Sequence, residues 1–234
     1  MHPTHLVATE DLGESAVWPT LAVLTAAALY ATLPSKFVTG PATSLFTAVR
    51  WLVPALTVLL LAPLALSVPR GRLLESAQAR AESLRLTRRV ASMGVLAVIT
   101  LAAGGSIALL VHFLLNGAQT QAPLLLRAGI HMWCMNVLVF SLWFWQLDGG
   151  GPVARRQGKE GRDFLFPQET LEGRATWQPR FLDYLYVAYT NATAFSPTDA
   201  MPLSVWAKVL MIVESAASLL VAILVVARAV NILH

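Results

Sequence analysis

FLDYLYVAYTNATAFSPTDAMP, residues 181–202, is the stretch on which the fold turns. Phe181 to Thr193 is apolar and aromatic, yet at ~1.5 Å rise per residue it reaches only about 20 Å as a helix. That is short of a ~30 Å hydrocarbon core. A helix of this length inside a bilayer must be backed by other helices and must turn back, because loose backbone cannot face lipid. The residues that follow suit a turn. Pro197 sets its own φ and lacks an amide, while Thr193, Ser196, Thr198 and Asp199 bring hydroxyls and a carboxylate. Ser196-Pro197-Thr198-Asp199 reads in two compatible ways: as a helix N-cap or tight turn that satisfies free amides, or as a polar tip that meets ions.

Working outward, four apolar runs precede this stretch: Ala16 to Leu33, Leu45 to Val68, Val90 to Leu115 and Leu124 to Leu147. A fifth, Leu203 to Leu233, closes the chain. Each is long enough, or nearly so, to cross a membrane as a helix. Hydrophobic residues make up 56% of the 234 and charged residues 13%, and mean hydropathy is +0.61, a balance that excludes a soluble domain. The expectation is an all-α integral membrane protein with five transmembrane helices plus a re-entrant pore-like helix. It divides into a polar N-terminal segment, 1–15, a three-helix region, 16–123, and a pore-like module, 124–234. The N-terminal segment has Glu10, Asp11 and Glu14 but no Lys or Arg, so it lacks the positive region of a secretory signal, and the first apolar run is expected to be retained.

The formal net charge of +4 does not point to nucleic acid, because the basic residues sit in loops between apolar runs. The connector from Pro69 to Arg89 carries Arg70, Arg72, Arg80, Arg85, Arg88 and Arg89, with Leu73, Leu74, Ala77, Ala81 and Leu84 at helical spacing. It reads as an amphipathic or helix-extending cytoplasmic segment. With it inside, the N-terminus is inside, the C-terminus outside, and the short helix enters from the cytoplasmic face. Asp148 to Pro179 opens with Gly149-Gly150-Gly151-Pro152 and nearly balances its charges, so it reads as an ordered loop with a solvated charged face. Six of the tryptophans, Trp18, Trp51, Trp143, Trp145, Trp177 and Trp206, lie near segment ends, where indoles rest at the headgroup level. Pro54 and Pro63 are expected to bend the second run, and Gly104-Gly105-Ser106 offers a small face for helix packing.

Glu214 lies near the middle of the last run, where a carboxylate needs a partner, a water path or the bundle interior. It is either a cation or proton contact or a brace for the short helix. Asp183 suits the positive end of that helix, and Arg127 and Arg228 can snorkel. His131 and Cys134 share a helical face, but two weak ligands without a nearby carboxylate are better read as a hydrogen-bonded histidine and a small hydrophobe than as a metal site; His112 is read likewise. No Ser-His-Asp arrangement, phosphate loop, zincin helix or cysteine pair is present, so no enzyme, cofactor or metal is expected.

The segment from Phe181 to Val230 resembles the pore helix, filter and inner helix of the pore-loop, potassium-channel-like superfamily. Tyr184 to Thr193 falls on the pore helix and Ala194 to Asp199 on the filter, while Pro202, Lys208, Glu214 and Arg228 match positions that are often Pro, basic, Glu and Arg. The filter glycines are absent. Phe195, Ser196, Pro197 and Thr198 stand in their place, which removes the carbonyl ladder that selects potassium. Looser motifs, Asp183-Tyr184-Leu185, Phe195, Asp199 and Val230-Asn231-Ile232, resemble an uncharacterised family of bacterial polytopic membrane proteins, which implies a fold and no activity. The resemblance implies a homo-oligomer, four copies preferred, that passes small cations through the cell (plasma or inner) membrane without strict potassium selectivity. Thr193, Ser196, Thr198 and Asp199 would contact ions, Phe195 would form a constriction, and Glu214 would brace the short helix or form an inner site. The alternative is a non-conducting membrane scaffold or accessory subunit; a transporter or membrane enzyme using Glu214 and His131 ranks last.

Overall fold

The computed structural model describes residues 17–34, 36–39, 51, 54–55, 77–116, 121–158, 161–172, 177–193 and 200–233. The second apolar run lies almost wholly outside the described residues, and so does the turn 194–199 with Phe195, Ser196, Thr198 and Asp199. Among the described residues seven α-helices have defined bounds, in chain order: α1 (Val17–Thr32), α2 (Lys36–Thr39), α3 (Ala77–Leu115), α4 (Ala122–Leu147), α5 (Pro152–Gln157), α6 (Phe181–Thr193) and α7 (Val205–Leu233). Three stretches among the described residues are long and apolar enough to cross a membrane: Arg89–Leu115, Pro123–Gly150 and Val205–Arg228. The chain is a predominantly helical membrane protein, and α1 is a shorter apolar helix beside these three.

α4 is the axis of the fold. On one side, Leu125, Ala128, Met132, Met135 and Val139 bury against α1, α3 and α7 in an aliphatic cluster. On the other, Val137, Phe140 and Phe144 pack with Phe164, Phe166, Tyr184, Val187 and Ala188 in an aromatic cluster with α6. Polar contacts set the directions. Gln146 near the C-terminal end of α4 donates to Ser92 of α3 at 3.0 Å, and Trp143 donates to Thr100 at 2.9 Å, so α3 and α4 are antiparallel. Gly129 and Val225 meet at the opposite end of α4: a Cβ at Gly129 would stand 2.7 Å from Val225 Cγ2, a contact no side chain tolerates. α7 is thus also antiparallel to α4, and glycine is what lets the two backbones close.

The arginine-rich connector is helix-extending over its second half, one of the two readings of its sequence: α3 runs for 39 residues and takes it in from Ala77 onward. At ~1.5 Å per residue that is about 58 Å, well beyond a membrane core, so its arginines ride on a helical extension. Among the described residues no heavy atom lies within 4 Å of where a Cβ at Gly104 or Gly105 would sit, whereas Gly129 makes a close helix approach. A short antiparallel pair, β1 (Phe164–Leu165) with β2 (Met201–Pro202), joins the loop after α4 to the segment before α7.

Candidate functional site

Two buried carboxylates organise the polar interior. The first, Asp148, follows directly on α4 and is 0% exposed. Gly149, Gly150 and Gly151 take φ of 57°, 75° and 98°, a left-handed run open to glycine that turns the chain sharply so that α5 and the following loop fold back over Asp148. Its Oδ1 accepts the amides of Asp163 at 2.7 Å and Phe164 at 3.2 Å. Its Oδ2 accepts the Tyr184 hydroxyl in a short hydrogen bond and lies 3.3 Å from Arg162 Nε and 3.9 Å from Arg155 Nη1. Arg155 also donates to the carbonyls of Asp148 at 2.8 Å and Trp145 at 3.0 Å, and its guanidinium lies 5.0 Å from the centre of the Tyr184 ring. Arg162 reaches on to Glu169 at 2.5 Å. Two arginines and two carboxylates thus cancel within one packed knot. Burial is the main influence on Glu169 and pushes its carboxyl above the usual range, while Arg162 pulls it down.

The solvated face expected for the charges of this loop is therefore corrected at its centre. Asp148 and Arg155 are buried, and what allows it is the density of opposite charge and amide donors around them. Sequence reading missed Asp148 because its partners are spread from residue 155 to residue 184. The available signal was a glycine run followed by proline next to a span end.

The second carboxylate, Glu214 of α7, is also 0% exposed. Its Oε2 accepts a hydrogen bond from Asn191 Nδ2 of α6 at 2.8 Å, and the same amide donates to the Met211 carbonyl at 2.9 Å. Ser215 donates to the Asn191 carbonyl at 3.0 Å. From α4, Asn136 donates to the Glu214 carbonyl at 3.1 Å and to Ser218 Oγ at 2.8 Å. Oε1 of Glu214 is buried and has no hydrogen-bond partner among the described residues. The contact with Asn191 joins Glu214 to the short helix, while Tyr189, two residues earlier, packs edge-on against Trp133 with centroids 5.8 Å apart. Thr193, at the end of α6, donates to the Thr190 carbonyl at 2.9 Å.

Together the two centres trace the path of the chain. α6 begins beside the C-terminal end of α4, where Phe181 packs on Trp145 and Tyr184 meets Asp148. It reaches Glu214 and, through it, Asn136, which lies about 18 Å back along α4 from Asp148. By β2 the chain is again at the starting level, paired with Phe164 and Leu165, and the Leu203 amide donates to the Asp163 carbonyl at 2.8 Å. Phe181 and the strand Met201–Pro202 thus both lie at the C-terminal end of α4.

Of the other residues singled out, Asp183 Oδ2 accepts the Arg180 amide at 2.6 Å at the head of α6. His131 Nδ1 lies 2.7 Å from the Arg127 carbonyl, with Cys134 half-buried one turn on. Among the described residues no group of three or more His, Cys, Asp or Glu could hold a metal ion. Comparison with family models, with curated proteins and with solved structures returns no match for this chain.

Proposed function

We propose that residues 181–202 form a re-entrant hairpin and that the chain is one subunit of a homo-oligomeric, channel-like membrane protein passing small cations without strict potassium selectivity. The observation that supports this reading is the pair of contacts on either side of the turn: Asn191 tied to Glu214 at depth, and β2 beside β1. Three physical points support it. The C-terminal end of α6 ends at that depth, and the partial negative charge of its last carbonyls favours a cation there. Leu182, Tyr186 and Tyr189 form an exposed stripe on α6, and phenol hydroxyls fit water or a neighbouring subunit better than acyl chains. A half-helix contributes one wall of a path, so symmetry mates are needed to close it, and four copies are preferred.

In this reading Asp199 with Ser196 and Thr198 forms the mouth, Phe195 a constriction, Thr193 the rim of α6, and Glu214 a brace with an inner contact. The protein is multi-pass, in the plasma or inner membrane. Arg88, Arg89, Arg155, Arg162 and Arg180 all belong to the end of α4 from which the hairpin departs, against Arg127 and Arg228 at the other. That imbalance favours entry from the cytoplasmic face.

Reconstituted vesicles test the reading. Cation flux that falls or changes selectivity in Asp199→Asn, from a protein that is oligomeric in lipid, is the expected result. No flux from either form, or a strict monomer in mild detergent and in lipid, overturns it in favour of a non-conducting scaffold.

A further inference from the structure

The polar seam between α4, α6 and α7 runs out of donors at Glu214. A carboxylate offers about four acceptor sites, and Glu214 is wholly buried, so protein groups must fill them. Each side-chain amide in the seam has both of its N–H groups engaged. Asn191 Nδ2 donates to Oε2 and to the Met211 carbonyl, and Asn136 Nδ2 to the Glu214 carbonyl and to Ser218 Oγ. The Ser215 hydroxyl goes to the Asn191 carbonyl, and that of Thr190 to the carbonyls of Tyr186 and Val187. None of these donors reaches Oε1, which has no hydrogen-bond partner among the described residues.

No counter-charge among the described residues replaces the missing donors. Along α7 the basic residues nearest to Glu214 in sequence are Lys208 and Arg228, about 9 Å and about 21 Å away by helical rise, and Lys208 is exposed. α6 has no basic residue; Asp183 and Tyr184 are engaged at its head, Tyr186 is exposed, and Tyr189 packs on Trp133. On α4, Arg127 and Asp148 stand at the two ends, while His131 and Cys134 lie well round the helix from Asn136, and His131 contacts the Arg127 carbonyl. The span of α3 carries Arg89 and His112 near its two ends, and β2 carries no titratable group.

An ionised carboxylate in this place keeps one hydrogen bond and no ion pair in an apolar interior, whereas the neutral acid leaves only a hydroxyl unpaired. The ligand that meets this need has to be small. Oε1 is closed to water, and a metal cation needs room for a shell of several oxygens, but a proton needs none. We propose that Glu214 is a proton-binding site: a neutral carboxylic acid in the resting protein, with Oε2 as its carbonyl oxygen and the proton on Oε1. Uptake takes the proton from a hydronium ion and leaves water. Release returns it to water and restores the anion, which requires water to reach Oε1. The site names the ion at the inner contact of the channel reading and to that extent rests on it, but its test needs neither flux nor an oligomer, so the two fail separately.

Infrared absorption of the purified full-length chain at neutral pH, in a maltoside detergent free of ester carbonyls, tests the proposal. The unaltered protein minus Glu214→Gln should show the carbonyl stretch of one protonated carboxylic acid, and Glu169→Gln should leave that band in place. Asn191→Leu removes the donor to Oε2 and should shift the band to higher wavenumber, as a carbonyl freed of its hydrogen bond does. Loss of a carboxylate band from Glu214→Gln in place of the acid band, or an acid band that neither Glu214→Gln nor Asn191→Leu changes, overturns the proton site. If Glu214→Gln fails to fold, Asn191→Leu decides: a shifted band supports the site and an unmoved one overturns it.

Discussion

Asp148 and Glu214 are both wholly buried carboxylates beside the same helix, and they are solvated by the protein in opposite ways. Asp148 is surrounded by two guanidinium groups, two backbone amides and a phenol. Among the described residues Glu214 has one side-chain amide on one oxygen and no partner on the other. The first arrangement replaces water almost completely and holds a charge at a span end. The second leaves part of the solvation of a carboxyl group unmet in the apolar interior, which is the signature of a residue kept for something other than stability. The difference separates an anchor, which ties the loop after α4 to α6, from a polar seam that sets how far α6 reaches.

The comparison can be broken most directly at Asp148. Replacing it by alanine removes the anion that Arg155 and Arg162 share and leaves Arg162 only Glu169, and the expected loss is about 3–5 kcal/mol, the range for breaking a buried ion pair. Thermal melting of the purified protein in detergent checks it, and an unchanged midpoint would mean that the knot contributes nothing. At Glu214 the two obvious substitutions should diverge. Glu214→Ala leaves the Asn191 amide with only the Met211 carbonyl and should destabilise by about 1–3 kcal/mol. Glu214→Gln keeps an acceptor while removing the under-solvated acid, so the same melt should show no loss or a small gain. Equal destabilisation by Asp148→Asn and Glu214→Gln would erase the distinction between the two centres.

A smaller effect sharpens the seam. Gly129→Ala puts a methyl onto Val225 and should cost about 1–3 kcal/mol by overpacking. Adding Val225→Ala should recover much of it, and a double-mutant cycle measures the coupling. The weakest expected effect is a pH dependence at the edge of the anchor. Burial raises the Glu169 carboxyl above its unfolded value, so its share of stability is fully present below the ordinary carboxylate range and is lost as pH rises through the raised value. Melts across mildly acidic pH should show a shallow downward slope that Glu169→Gln flattens; a slope of opposite sign would show the Arg162 pair outweighing desolvation.

The apolar runs were legible because hydropathy is a local sum: the ends of α1, α4 and α7 fall within about two residues of the runs read from sequence. The short length of α6 was legible for the same reason, and so was the need of Glu214 for company. The burial of Asp148 and Arg155 was not, because a charged loop residue looks solvated until its counter-charges are known to converge on it. The α3 extension was legible as one of two readings, since an arginine-rich amphipathic stretch has the same periodicity whether it lies apart from the next span or continues it. The glycine pair at 104 and 105 stood out by composition, whereas Gly129, a lone glycine, makes the close approach.

By itself the sequence determined that this chain is a helical membrane protein, that a thirteen-residue aromatic helix could not cross alone, and that one acid lay where it could not stand unaided. Only the tertiary structure decided which acid is neutralised and which is left half satisfied, and that Phe181 and the strand Met201–Pro202 lie at one end of α4. The physical reason is range. Hydrophobic transfer is set residue by residue along the chain, but the solvation of a buried charge is set by donors contributed from helices and loops tens of residues apart, and those meet only once the chain has folded.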